Sequence, residues 1–187
     1  MKKYKLIYAD PPWKYNNKNT GRYHYNTIKN FNKGMISGAS NKYPCMSINE
    51  LLSMNLENIM NDNCVLFLWS TTPLLDQAFK LLFGWGFDYK TTFYWDKKNT
   101  LGMGFWFRNN VEPCLIGVRG DIKPFRLQIP NIISRKPSNH SKKPSDLYSI
   151  MESLDLKPRI ELFARDRRDG WDCYGNQLSK TIQKLIT

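Results

Sequence analysis

The run Tyr8-Ala9-Asp10-Pro11-Pro12-Trp13 puts a carboxylate, two prolines and an indole side by side. Successive prolines fix two φ angles and remove two N–H donors, so the segment is held extended while its carbonyls remain free acceptors. A carboxylate, a rigid carbonyl and an aromatic face can together hold an exocyclic amino group. The two oxygens accept its hydrogens and the ring stacks on the attached base. Taken alone, a proline-stiffened strand exit accounts for the same residues. Leu101 to Asn110 is a glycine-loosened aromatic loop ending in a cation, in which Trp106 and Arg108 would form a second wall of a substrate site; a hydrophobic plug under the sheet edge is the plainer alternative. Lys143 precedes an apolar-sided stretch and would lie at the positive end of a helix, a position suited to gripping an anionic group.

These residues need elements to position them. Leu6-Ile7-Tyr8 reads as a buried strand, which sets Asp10 where the chain leaves a sheet, the place where open α/β sheets bind ligands. Ser47-Ile48-Asn49-Glu50 is a capping box, predicting a helix to about Met60, followed by a turn at Asn61-Asp62-Asn63. Cys64 to Trp69 is a continuous apolar run suited to a strand covered on both faces. Thr72-Pro73 opens the next helix, which Gly84 and Gly86 close. Phe87 to Trp95 and Glu112 to Val118 read as strands antiparallel to each other. Lys123 to Ser141 reads as irregular, followed by a helix with Leu147, Ile150, Met151 and Leu154 on its apolar side and a proline in its first turn. Arg159 to Ala164 and Trp171 to Tyr174 are short strands, and a helix from Leu178 to Ile186 is expected after them.

The chain has 187 residues, the size of one ordinary domain, so residues 1–187 are expected to form a single unit. Twenty-eight Lys and Arg against 16 Asp and Glu give a net charge of +12, which points to a polyanionic partner, nucleic acid first. A lysine-loaded solvent face is the alternative. Residues 14–43 form a long predicted loop rich in Asn, Lys, Gly and Tyr, with Tyr15, Tyr23, Tyr25 and Tyr43 interleaved among cations. Cations for phosphates and flat rings for bases suit an opened nucleic-acid strand. There is no run of 18 apolar residues, so no membrane span is expected. The four apolar or neutral residues after Lys5 are too few for a signal-peptide core, and a cytoplasmic location is expected. The four cysteines are widely spaced and only His24 and His140 accompany them, so no metal site is indicated.

The order of Asp-Pro-Pro-Trp at a strand end, Leu-Phe-Leu-Trp, Lys-Pro opening a helix, Ile-Glu-Leu-Phe-Ala-Arg and Gly-Asn-Gln resembles the MT-A family of adenine-N6 methyltransferases, over residues 5 to 178. The family is that of the eukaryotic mRNA N6-adenosine methyltransferase catalytic subunit and includes compact bacterial and phage DNA enzymes. The resemblance implies an α/β, Rossmann-like methyltransferase fold: a mostly parallel sheet of about seven strands, one antiparallel, with the catalytic strand first and the cofactor strand late. It implies S-adenosylmethionine as methyl donor. Asp10 matches the catalytic aspartate, which also lies near the cofactor; Pro11 and Pro12 supply carbonyls, and Trp13 the stacking ring. Lys143 matches a lysine near cofactor and substrate. Glu161, Arg165, Arg167, Arg168, Asn176 and Gln177 are the further expected cofactor residues, although Arg167-Arg168 stand where the mRNA enzyme has a His-Asn pair. Tyr15, Tyr43, Trp106 and Arg108 join Trp13 and Lys143 as expected substrate contacts. DNA is the expected substrate, RNA the nearest alternative, and a non-catalytic nucleic-acid-binding subunit a further one. A homodimer or a partner subunit is compatible with each.

Overall fold

In the computed structural model, residues 2–15, 45–98, 100, 102, 106–137, 142–175 and 178 are described. Strand β1 (Tyr4–Ala9) has every residue but Lys5 buried, because both of its faces are covered. Leu6 and Tyr8 join one hydrophobic cluster with Val65, Phe67 and Trp69; Ile7 and Ala9 join another with Leu66 and Leu68. The alternation that points successive side chains to opposite faces thus divides the core into two layers. Helices α1 (Ile48–Leu52) and α2 (Leu75–Gly84) cover the Ile7 face through Leu51, Ala78, Leu81 and Leu82. Helix α3 (Asp146–Ser153) covers the Tyr8 face through Leu147 and Met151.

The other strands are β2 (Met60–Trp69), β3 (Asp88–Asp96), β4 (Val111–Arg119), β5 (Ile132–Ser134), β6 (Arg159–Leu162) and β7 (Asp172–Tyr174). They make one seven-stranded sheet in the order β5-β3-β4-β2-β1-β6-β7. β4 runs antiparallel to both neighbours, β2 and β3, and the remaining pairs are parallel, as expected. The chain leaves β1 toward β2 on one side, whereas its other neighbour, β6, arrives late in the sequence and leads outward to β7. The crevice outside the ends of β1 and β6 is therefore the switch point of the sheet. Asp10 follows one of these strands and Phe163-Ala164 the other.

The capping box is present: Ser47 Oγ accepts the Glu50 N–H at 3.3 Å and Glu50 Oε2 accepts the Ser47 N–H at 2.7 Å. The helix it opens ends at Leu52, not near Met60. Ser53 Oγ donates to the Glu50 carbonyl and Asn55 Oδ1 accepts the Glu57 N–H, so polar side chains compete for the backbone as soon as the first turn is complete. The turn expected at Asn61–Asn63 lies inside β2, where the register moves from Tyr4 opposite Met60 to Leu6 opposite Val65 and Asn61 Oδ1 accepts the Asn63 N–H. Thr71, not Thr72, precedes the second helical segment, which starts as a 3-10 turn over Thr72–Leu74. Pro144 lies before α3, ahead of Ser145 at its N-cap. β5 was not expected; it is a three-residue edge strand with no periodicity to reveal it, pairing with Tyr94–Asp96. Of the expected C-terminal helix, residues 179–186 lie outside the described residues. Among the described residues no helix is long and apolar enough to cross a membrane.

Candidate active site

Asp10 leaves β1 directly into the proline pair, and the prolines are held by hydrogen bonds of their own. The Pro11 carbonyl accepts the Trp13 N–H at 2.9 Å, a tight turn centred on Pro12, and the Pro12 carbonyl accepts the Met46 N–H at 2.8 Å. The expectation of free carbonyls is therefore corrected: each is engaged once and keeps only its second lone pair. Lys14 N–H in turn donates to the Met46 carbonyl, and Trp13 bridges Met46 in parallel register. Trp13 is buried in the α1/α2 layer with its Nε1 donating to the Trp69 carbonyl at 3.0 Å. Its ring is part of the packing beneath the motif, which corrects the expected open stacking face. Tyr15, partly exposed, donates to Thr71 Oγ1 at 2.7 Å and stands above the same end of the sheet.

Lys143 reaches Asp10 from the α3 side. Its Nζ is 3.0 Å from Asp10 Oδ1 and 3.2 Å from Glu112 Oε2, and it sits 5.4 Å over the Trp69 ring. Glu112, at the start of β4, is paired on its other oxygen with Lys97, just beyond β3. Four largely buried charges thus alternate in a row: Lys97, Glu112, Lys143, Asp10. Burial alone would pull the Lys143 ammonium down, but Asp10 and Glu112 hold its pKa above the ordinary lysine value. Burial would likewise raise Glu112, and Lys143 and Lys97 outweigh it, keeping this carboxyl below its ordinary value. Sequence reading missed Glu112 and Lys97. The available signal was a lone acid in the otherwise apolar, β-branched run Val111 to Val118.

Across the crevice, β6 presents a different carboxylate. Glu161 Oε2 accepts the Tyr148 hydroxyl at 2.8 Å, and burial pushes its pKa up to about 7, with the Tyr148 hydrogen bond opposing and the nearby Asp10 charge adding to the rise. Beyond β6, Phe163 has φ of 65°, a strained conformation for a bulky residue. Ala164 N–H then bonds to the Tyr174 carbonyl. Gly175 lies so close to this strand end that an added Cβ would fall 2.0 Å from the Ala164 carbonyl oxygen, so only glycine fits where the Gly-Asn-Gln segment begins.

A sheet switch point holding an Asp-Pro-Pro-Trp turn, a lysine-bridged aspartate and an acid on the neighbouring strand now stands beside what is known of other chains. Residues 4–177 match the MT-A70 family. This chain belongs to the MT-A70 family. It is 36% identical over 186 residues to the type II methyltransferase M.MunI of a Mycoplasma species, which covers 95% of this chain and 78% of that protein. It is 28% identical to the N(6)-adenosine-methyltransferase subunit METTL3 of Danio rerio and 27% to a putative N(6)-adenosine-methyltransferase MT-A70-like protein of Medicago truncatula, over 94% and 95% of this chain. The chain spans only 28% and 27% of those two proteins' lengths.

The remaining expected residues of the MT-A70 chain fall in several places. Trp106 is 92% exposed in the β3–β4 loop, and Arg108 donates from Nε to the Gly102 carbonyl at 3.2 Å. Both lie in the loop that leads into the start of β4, where Glu112 stands. Arg165 is half-buried and Arg167 exposed in the turn after β6. Arg168 is engaged elsewhere: Nε and Nη2 both donate to Glu152 of α3, and its guanidinium lies 4.3 Å over the Tyr148 ring. These contacts place it behind Glu161, where it steadies the tyrosine that holds the acid. Tyr43, Asn176 and Gln177 lie outside the described residues.

Proposed function

We propose that this chain is an S-adenosylmethionine-dependent methyltransferase acting on the N6 amino group of adenine in DNA. The observation that carries the reading is Asp10, fixed at the sheet switch point and paired with the Lys143 ammonium at 3.0 Å, within an MT-A70 chain. The cofactor fits the residues present. Glu161 offers a half-buried carboxylate suited to accept ribose hydroxyls, and the close Ala164–Gly175 approach brings the ends of β6 and β7 together beside it. Asp10, Lys143, Glu161 and Arg165 would hold it, with Asn176 and Gln177 following Gly175. When bound, S-adenosylmethionine supplies a methyl group on an electrophilic sulfonium.

The adenine amino nitrogen is a poor nucleophile because its lone pair is delocalised into the ring. Asp10 accepts one of its N–H bonds, and the second lone pair of the Pro11 carbonyl accepts the other. Both contacts strengthen as the nitrogen becomes tetrahedral and lightly positive, so they favour the transition state over the ground state. Lys143 keeps the Asp10 carboxylate oriented through the transfer. The amino proton goes to water or to Asp10 after methyl transfer, since a carboxylate is too weak a base to remove it first. Most of the acceleration comes from positioning and fixed charge. The base must be flipped out or already unpaired to reach this site.

DNA is favoured over RNA because the relative matched over most of both chains is a type II methyltransferase, whereas the N(6)-adenosine-methyltransferases are matched over a small share of their length. The net charge of +12 suits either polymer. The test is methyl incorporation from labelled cofactor into matched DNA and RNA oligomers, with the modified base mapped. N6-methyladenine in DNA is expected; modification confined to RNA, or to another base, contradicts the reading.

A further inference from the structure

A groove of about 420 Å³ opens beside Lys143, on the β3–β5 side of the sheet and away from the β6 crevice. Arg135, Lys136, Lys142 and Lys143 line it against a single acid, Asp146. Its cations stand on a fixed base. The Arg135 N–H donates to the Asp96 carbonyl at 2.9 Å, Trp95 Nε1 donates to the Arg135 carbonyl at 2.8 Å, and the Arg135 guanidinium is oriented by Asp146 through Nε and Nη2 at 3.3 and 2.9 Å. Lys142 pairs with Asp166 at 3.1 Å, but both groups are well exposed, and such a surface pair contributes at most about 1 kcal/mol, so it exchanges readily for another anion. Lys136 is exposed beside them.

We infer that this groove is a track for the sugar–phosphate backbone of the substrate strand next to the target adenine, with Lys136 and Lys142 as phosphate contacts and Arg135 as an oriented donor. The inference rests on the nucleic-acid reading above. Three observations select this occupant. The groove is wider than a lone phosphate needs. It is continuous with Asp10 through Lys143, which belongs to both. Its sign matches the excess charge of the whole chain. Backbone contacts position a strand without reading its sequence, so the track accounts for affinity and register at the catalytic aspartate and leaves sequence choice to other residues.

The test is a double variant, Lys136→Ala with Lys142→Ala, compared with wild type for binding to two duplex oligodeoxynucleotides of unrelated sequence over a range of salt. Both sequences should lose affinity alike, and the slope of log K against log salt should become shallower by about 1.8, near 0.9 for each lost phosphate contact. Cofactor affinity by calorimetry should be unchanged, and turnover at saturating DNA should match wild type while KM for DNA rises. An unchanged slope overturns the track. So does a loss of cofactor affinity with DNA binding intact, which would make the groove part of the cofactor site. A wild-type protein that binds DNA with the expected slopes but transfers no methyl group to adenine contradicts the catalytic reading and leaves the track standing.

Discussion

Two carboxylates face each other across the end of the sheet in opposite electrostatic settings. Asp10 belongs to the alternating row in which Lys143 bridges it to Glu112 and Lys97 closes the far end. Glu161 has a phenol as its hydrogen-bond partner, and Arg168, whose charge opposes the rise in its pKa, is engaged by Glu152. The same chemical group is thus held below its ordinary pKa at Glu112 in the row, and at Glu161 is raised to about 7 by burial. Charge pairing outweighs desolvation in the first case and is too weak to do so in the second. In the proposed function the row positions Asp10 as acceptor for an amino group, and Glu161 is a proton-sensitive acceptor for hydroxyls.

The largest effect expected from breaking this comparison is at Lys143. Lys143→Met leaves Asp10 and Glu112 buried side by side with one cation fewer. Loss of about 3–5 kcal/mol is expected for such a broken buried pair, or roughly 10 °C in Tm for a chain of this size. Methyl transfer should fall with it. Thermal unfolding beside an activity assay checks this, and an unchanged Tm would show that the row of charges is not a stabilising unit.

At Glu161 the sign of the pH dependence separates the two sides. Its folded-state pKa is raised, so its contribution to stability is present at low pH and is lost as pH rises through about 7. Glu112 is the reverse: its pKa is depressed, and its contribution is lost as pH falls through that lowered value. If the ionised Glu161 accepts cofactor hydroxyls, cofactor affinity should strengthen roughly 5–10-fold between pH 6 and 8, and Glu161→Gln should flatten the profile. Calorimetric titration across that range is the check; a wild-type profile already flat would remove Glu161 from the cofactor site.

Trp13→Phe gives the smallest effect. Loss of the indole donor to the Trp69 carbonyl should cost about 1 kcal/mol in urea unfolding, with KM for the nucleic acid unchanged. A large rise in KM with stability intact would restore the stacking role.

Much of this was legible in the sequence. A short apolar run announced β1 and a continuous one β2, the capping box announced α1, and the order of motifs implied one antiparallel strand among parallel ones. Asp10 and Lys143 could be named because their neighbours, two prolines and a helix start, are local signals. Glu112 and Lys97 could not. Their importance comes from β4 running antiparallel between β2 and β3, which brings Glu112 at the start of β4 against Lys97 just beyond β3 and beside a lysine some thirty residues on. The engagement of the Pro12 carbonyl and of the Arg168 guanidinium was hidden for the same reason: their partners, Met46 and Glu152, are distant in sequence and unremarkable by type.

The central claim is that the Asp10 carboxylate orients the adenine amino group. Asp10→Ala leaves Lys143 paired with Glu112 and removes only one of the residues that would hold the cofactor, so the fold should survive and cofactor affinity should fall far less than methyl transfer. Single-turnover methyl transfer, measured with cofactor affinity on the same preparation, should fall by about 10²–10³-fold or more, the cost of removing one preorganised electrostatic contact. Near wild-type transfer by a folded, cofactor-binding Asp10→Ala protein would contradict the account.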